Sequence, residues 1–580
     1  SSIQDVLTVL ASPSRSSRSD PISRSAPPGS IIDKDIGDIL RTRLLGRLGD
    51  LNATEMRVQL QDKFIRIKKA EESVGAPSNL SAYQAESLYY GRTGQRLETL
   101  NENHIDPIIK EMKARDVSLD RLDEFMSASH AQERNNKIGA MYPRGHDFHE
   151  AMTDHSKVGG SGWSVNEALQ VIRGIRRDGK LPDYLAVARM VWALNAKTRR
   201  TLFDAGLIDR DTFDAWNAAY KYYTPQRGAV EGSEWMGSGS GMNIRGKEAK
   251  TAFGRRSKAD SPLAYSIMQA EMAIVRAEKN KVGNTFLSFV RANPDPSRWT
   301  VNQPPSVKRI DPATGLVITM PDNLYANRDN VFTTKVNGRD VHIELRGPDG
   351  LNLARALKNM GSANVHALIR TYSAVTHAMA KLATAWNPEF MLPNLIRDIG
   401  EALINLSQHE QVRFARNFIK HLLPAMKGAT QAIAGKTPAA GTSARRYVDA
   451  FHEFDAAGGR IRFFGIDDPD QIETNVEKKL RRLQGGALNT LKDIGDKAAK
   501  ALEIAGGGVE NATRLAAYMA ARDAGFSIPD SARIGRDMTV NFNRKGELGG
   551  VISGLYMFAN AGIQGQARMA QALAHRRVWQ

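Results

Sequence analysis

Apolar residues recur at alternating steps of three and four through Val365, Leu368, Tyr372, Val375, Met379, Leu382 and Trp386. That spacing gathers one apolar stripe along one side of a long helix. Asn387-Pro388 ends it, because Pro388 has no N–H to donate and biases Asn387 away from helical dihedrals. Pro393 suits the first turn of a second helix, along which Leu395, Ile396, Ile399, Leu403 and Ile404 resume the pattern. The stretch predicts a helical hairpin with a rigid corner at 386–398. An architectural reading of that corner buries Trp386 and Phe390, while Asn394, Arg397 and Asp398 cap or pair locally at the helix ends.

The same periodicity runs from Ile31 to about Arg227, with breaks near Gly75-Ala-Pro77, Gly91, Pro143-Arg-Gly145 and Leu181-Pro182. Ser164 with Glu167 three residues on makes a capping box that starts a helix. Residues 228–256 are rich in Gly, Ser and Lys and read as an exposed loop or interdomain linker. A helix is predicted from Pro262 to Ala292. The Pro- and Asp-rich stretch 293–345 carries one β-hairpin, NVFTTKVNGRDVHIEL, with Asn337-Gly338 as its tight turn.

Val412 to Met426 predicts a basic amphipathic helix with Arg413, Arg416 and Lys420 on one side, followed by a loop over about 427–444. A further helix ends at Gly458-Gly459, where the first glycine can take the left-handed cap conformation. The fold expected is mainly α, an elongated multi-helix body with a small β-hairpin insertion near 330–346. Its segments are a disordered basic arm (1–30), an N-terminal helical domain (31–227), the linker (228–256), a helix plus small β insertion (257–350) and a C-terminal helical domain (351–580).

Composition changes the picture in two ways. The chain has 580 residues and no cysteine, which excludes disulfides, thiolate catalysis and Cys-based zinc sites. Its formal net charge of +17 favours contact with polyanions such as DNA, anionic lipid or an acidic protein surface, without choosing among them. Residues 1–30 are rich in Ser, Pro and Arg, and a solvated linker is the expected state. The first residue is Ser, which fits a processed product or part of a longer polypeptide.

The corner also carries a family resemblance. Asn387, Pro388, Phe390, Asn394, Arg397 and Asp398 resemble, in order, the NPxFxxxNxxRD signature of the large polyvalent-protein-associated domains of giant bacteriophage proteins. Pro393 stands where that pattern more often has Arg. The stretch HAQERNNKIG (130–139), the loop GGSGWS before the helix NEAL, and the AAGG stop at 456–459 are similar to further pieces of the same family. So is the segment with Thr539, Phe542, Arg544, Gly546, Phe558, Asn560, Ala561, Ile563, Gln564 and Gly565. The resemblance covers most of 50–575. It implies a structural internal virion, or ejection, protein that is packaged in the particle and helps genome delivery across the host envelope. Its expected partners are copies of itself, other virion proteins near the portal, and phage DNA. Its expected locations are the virion and then the host envelope or cytoplasm. The alternative implied is a DNA-binding anti-restriction or DNA-processing factor delivered with the genome.

Candidate chemistry is sparse. His146, His149, Glu150, Asp154 and His155 lie within ten positions, yet HxxHE lacks the i, i+4 histidine spacing of a helical zinc site, and Pro143 and Gly145 predict a loop. No phosphate-binding GxxxxGK[ST], nucleophile elbow or dinucleotide fingerprint occurs. The expectation is no catalytic site, no metal and no cofactor. Two basic sets can touch phosphate, Arg413, Arg416 and Lys420, then Lys478, Lys479, Arg481 and Arg482. Residues 548–567 carry no formal charge and have bilayer length, but their Asn, Gln and Gly content favours a buried or oligomer-facing helix over contact with a host membrane.

Overall fold

A computed structural model describes residues 62–226, 241–244, 254–259, 261–302, 306–310, 317–321, 324–358, 412–460 and 511–538, with Glu55 and Val58. The chain divides into two compact units, Ser1–Met56 and Arg57–Gln580, and every element named below belongs to the second.

The first helices are α1 (Ile65–Ser73), α2 (Ala82–Ser87), α3 (Tyr89–Leu100), α4 (Asp106–Ala114) and α5 (Leu119–Gly139). They are followed by α6 (Asp147–Glu150), α7 (Val165–Arg177), α8 (Leu181–Asp204), α9 (Arg210–Ala219) and α10 (Pro262–Ala292). Five strands come next, β1 (Trp299–Asn302), β2 (Ser306–Ile310), β3 (Val317–Pro321), β4 (Val331–Val336) and β5 (Arg339–Leu345). The chain continues as α11 (Gly347–Lys358), α12 (Val412–Ile433), α13 (Ser443–Ala456), α14 (511–523) and α15 (Ile528–Asp537). The fold is mainly α with a small β insertion, as the periodicity predicts.

The central element is α10, which starts at Pro262 as expected from proline's fit to the first helical turn. Of its 31 residues 23 are buried, so it packs on all sides rather than along one stripe. It packs against α2, α3, α5 and α8 and lies against β4. Three buried apolar clusters take residues from it, one with Phe286 and Phe289, one with Ile267 and Ile274, one with Ala273 and Ala277.

The predicted hairpin is present: β4 pairs antiparallel with β5, Val336 opposite Arg339, across Asn337 and Gly338, both at positive φ. The stretch holds more than the one hairpin read from the sequence. Strand β1 adds to β5, giving the order β1-β5-β4, and β2 pairs with β3 in a separate hairpin. Strand β4 is an edge, and polar groups from outside the sheet occupy it. The Asn280 carboxamide accepts from Lys335 N (2.8 Å) and donates to Lys335 O (2.9 Å), while Asn243 Oδ1 accepts from Thr333 N (2.7 Å). A covered edge cannot template another strand.

Three further expectations need correction. The break expected near Gly91 falls at Leu88, between α2 and α3, and Gly91 itself lies inside α3, where its bare backbone receives Gly458. The basic helix does not stop at Met426 but continues to Ile433, since Gly428, Ala429 and Ala432 are small enough to pack on Tyr447 and its neighbours. Within the segment read as an exposed linker, Met242, Asn243 and Ile244 are buried, with Met242 N donating to Leu357 O (2.8 Å) and Ile244 N to Thr333 O (2.9 Å).

The C-terminal core gathers α12, α13, α14 and α15 around Phe418, Phe451, Phe454 and Tyr518. Every residue from 511 to 521 is buried, which the alanine-rich sequence there permits at close helix spacing.

Candidate functional site

On α12, Arg416 and Lys420 are exposed, one turn apart, and Lys427 is exposed two turns further on. Between them Ile419 is 59% and Leu423 is 71% exposed. The predicted basic face is therefore mixed, cations interleaved with aliphatic side chains. Arg413 belongs to the same helix, but its side chain lies outside the described residues. Also outside them lie Lys478, Lys479, Arg481 and Arg482, the corner residues Trp386, Asn387, Pro388, Phe390, Asn394, Arg397 and Asp398, and Phe542, Arg544 and Gly546. The arm 1–30 and the segment 548–567 are outside as well. Among the described residues no helix is long and apolar enough to cross a membrane.

The histidine-rich stretch 146–155 is folded around its own backbone. His146 Nδ1 accepts from Phe148 N (3.2 Å) as the cap of α6, and its ring stacks on Tyr142 at 4.2 Å. His149 Nδ1 lies 3.2 Å from Gly139 O and 3.0 Å from Tyr142 O, so that nitrogen carries the proton. Glu150 accepts from Gly145 N (3.1 Å), and Asp154 accepts from both the hydroxyl and the amide of Ser156. Among the described residues no three His, Asp or Glu side chains converge as a metal-holding group.

The Glu133-Arg134-Asn135 motif on α5 instead organises two loops. Glu133 accepts from Lys221 N (3.2 Å) and Tyr222 N (3.1 Å), anchoring the aromatic segment after α9. Arg134 Nε donates to Gly160 O (3.4 Å). Asn135 Oδ1 accepts from Ser161 N (2.8 Å), and its amide donates to Trp163 O (2.9 Å). The glycines of that loop make room: a Cβ on Gly159 would fall 2.3 Å from Asn135 Cγ, and Gly162 sits at φ +79° against Ser257 O. Lys258 Nζ then lies 3.7 Å above the Trp163 ring, a cation–π contact. Ser164 and Glu167 form the predicted capping box of α7.

Beside Glu133 lies His130, fully buried, with Nδ1 3.5 Å from Glu133 Oε2, too long for a good hydrogen bond. Burial lowers the His130 pKa, so the ring is held neutral. Burial also works to raise the Glu133 carboxyl, but its pKa is lowered, and the hydrogen bonds from the Tyr222 and Lys221 amides hold it there. Tyr220 and Tyr223 pack edge-on to His130, and Arg199 lies over Tyr223 at 5.4 Å. The sequence run YKYYTP signals this aromatic concentration, but not what it packs against.

A second polar centre joins α3 to α10. Glu278 accepts from Arg92 Nε (2.7 Å) and Arg96 NH1 (2.9 Å), one helical turn apart on α3. Burial acts to raise the Glu278 carboxyl, and Arg92 followed by Arg96 outweighs it, leaving the pKa lowered. Arg92 also donates to Ala85 O (3.0 Å). With 182 and 186 positions between the partners, no local signal reveals this clamp. A third arrangement, His421 between Tyr447 OH (2.7 Å) and Asp523 (2.8 Å), ties α12, α13 and the end of α14 together.

No protein-family model, no curated protein and no solved structure matches the chain.

Proposed function

We propose that the chain is a structural internal virion, or ejection, protein of a bacteriophage particle, which travels with the genome and helps its delivery across the host envelope. The motif resemblance carries this reading. One observation supports it: Glu133 and Asn135, two residues of the family-like ERN stretch, each clamp a separate loop through backbone hydrogen bonds. The motif thus serves architecture, as a particle component needs. On this reading the chain works without catalysis of its own, and it assembles with copies of itself or with portal-proximal proteins. Mass spectrometry of purified, nuclease-treated particles is expected to find it at defined copy number; particles lacking the chain would end the reading.

The exposed cations of α12 favour a second reading, a DNA-binding or DNA-processing factor delivered with the genome. It predicts duplex binding that falls steeply with salt and weakens when Arg416 and Lys420 are changed to Glu. Duplex affinity unchanged in that variant would remove it.

A further inference from the structure

An open cleft of about 610 Å³ lies between α3, α8 and α10. Its volume falls in the roughly 300–1,000 Å³ range of small-ligand sites. Arg96, Glu278, Lys281, Asn284 and Ser288 line it, with Asp204 at the end of α8.

The charges there do not balance. Arg92, behind the wall, and Arg96 both converge on Glu278, so one carboxylate already serves two guanidinium groups. Lys281 adds a third cation. Its ammonium makes no hydrogen bond or ion pair among the described residues, and desolvation, then Arg92, lowers its pKa against the opposing attraction of Glu278. Asp204 supplies no compensation, since it is paired with Arg200 at 2.8 Å. With Arg92 behind the wall and Arg200 beyond the lining counted in, four cations face two carboxylates, so two positive charges are left over around a cleft that also holds neutral donors. Asn284 uses its Oδ1 to accept from Thr334, which leaves its amide N–H groups to offer the cleft. A planar guanidinium from α3, with an ammonium and an amide donor from α10, all lining one cleft, suit the three oxygens of a phosphate group.

We infer that this cleft is a phosphate-binding site, with Arg96 and Lys281 as its charged contacts and a phosphate ester as its ligand. The site stands apart from the basic face of α12 and is independent of the proposed virion role.

The test is isothermal titration of the full chain with inorganic phosphate at constant ionic strength, with chloride as the control salt. Saturable binding is expected, weakened at least about tenfold in Lys281→Met and unaltered in Lys420→Glu. Lys281 is exposed, so the variant should fold, and an unchanged circular dichroism melt checks that. A parallel titration with a short oligothymidylate separates the sources. Binding lost with Lys281→Met assigns the site to a nucleic-acid strand, and phosphate binding without it assigns a phosphorylated small molecule. Absence of saturable phosphate binding, or equal binding by wild type and Lys281→Met, overturns the inference.

Discussion

Gly91 of α3 and Gly458 at the end of α13 meet backbone to backbone: a Cβ placed on Gly91 would lie 2.0 Å from Gly458 O. Gly458 is itself at φ +89°, and a Cβ there would lie 2.4 Å from Leu88 O. Arg536 closes the contact by donating to the same Gly458 carbonyl at 2.9 Å. Segments far apart in the chain therefore join through two missing side chains.

Gly91→Ala should destabilise the protein, although Gly to Ala inside a helix ordinarily gains about 1 kcal/mol. Here the added methyl meets backbone that cannot swing aside, and overpacking of this kind costs roughly 1–3 kcal/mol. Urea unfolding gives the sign. A stabilised Gly91→Ala variant would mean that α3 and α13 are not in this contact.

Asn135→Ala leaves the Ser161 amide without its acceptor in a fully buried loop, while Trp163 O keeps its bond from Gly159 N. An orphaned buried donor costs about 1–3 kcal/mol. Asn135→Asp should rescue little, because it preserves the acceptor but sets a carboxylate oxygen against Trp163 O. Limited proteolysis across 159–163 should expose both variants equally; protection restored in Asn135→Asp would count against the clamp.

The elements with local signals were readable in the sequence. Pro262 opens α10, Ser164 and Glu167 cap α7, and Asn337-Gly338 turns the hairpin, each requiring only neighbours a few residues away. Strand β1, the Asn280 carboxamide along β4 and the Arg92–Glu278–Arg96 clamp depend on partners far away in sequence, where periodicity is silent. The burial of α10 hid itself in another way: it carries Glu271, Arg276, Glu278 and Lys279, so its inward positions do not look apolar. His146 and His149 show the converse, since proximity in sequence left them facing a backbone amide and backbone carbonyls rather than each other.

Asp123 links pH to stability. From α5 it accepts from Leu263 N at 2.8 Å, capping the start of α10, and burial, opposed by that bond, lifts its pKa from 3.8 to about 6. A raised native pKa means that the folded protein holds this proton where the unfolded chain releases it. The contribution to stability is full below about pH 3.8 and is lost as pH rises through about 6. The difference amounts to roughly 3 kcal/mol at most, and less because the residue is partly exposed. Asn at this position still accepts from Leu263 N without a charge. Asp123→Asn should therefore match wild type near pH 4 and melt higher at pH 7. A constant difference between the two across pH 4–7 would refute the assignment.

Glu278 separates a buried ion pair from a solvent-screened one. Its side chain is 6% exposed, Arg92 is 8% exposed and Arg96 is 36% exposed. Removing one partner of a buried pair costs up to roughly 3–5 kcal/mol, less here because Arg96 still holds the carboxylate, whereas the contact of the partly exposed Arg96 is screened by solvent and contributes less. Arg92→Met should thus destabilise far more than Arg96→Met, although both guanidinium groups hold the same carboxylate. The double variant Arg92→Met, Glu278→Met should recover part of the loss, because two apolar side chains of similar length remove both buried charges at once. The lowered Glu278 pKa adds a pH signature: its contribution is present above the ordinary 4.5 and disappears as pH falls through the native value, so Glu278→Gln should flatten the acid side of the stability curve. Equal losses for Arg92→Met and Arg96→Met would show that burial does not set the strength of this clamp.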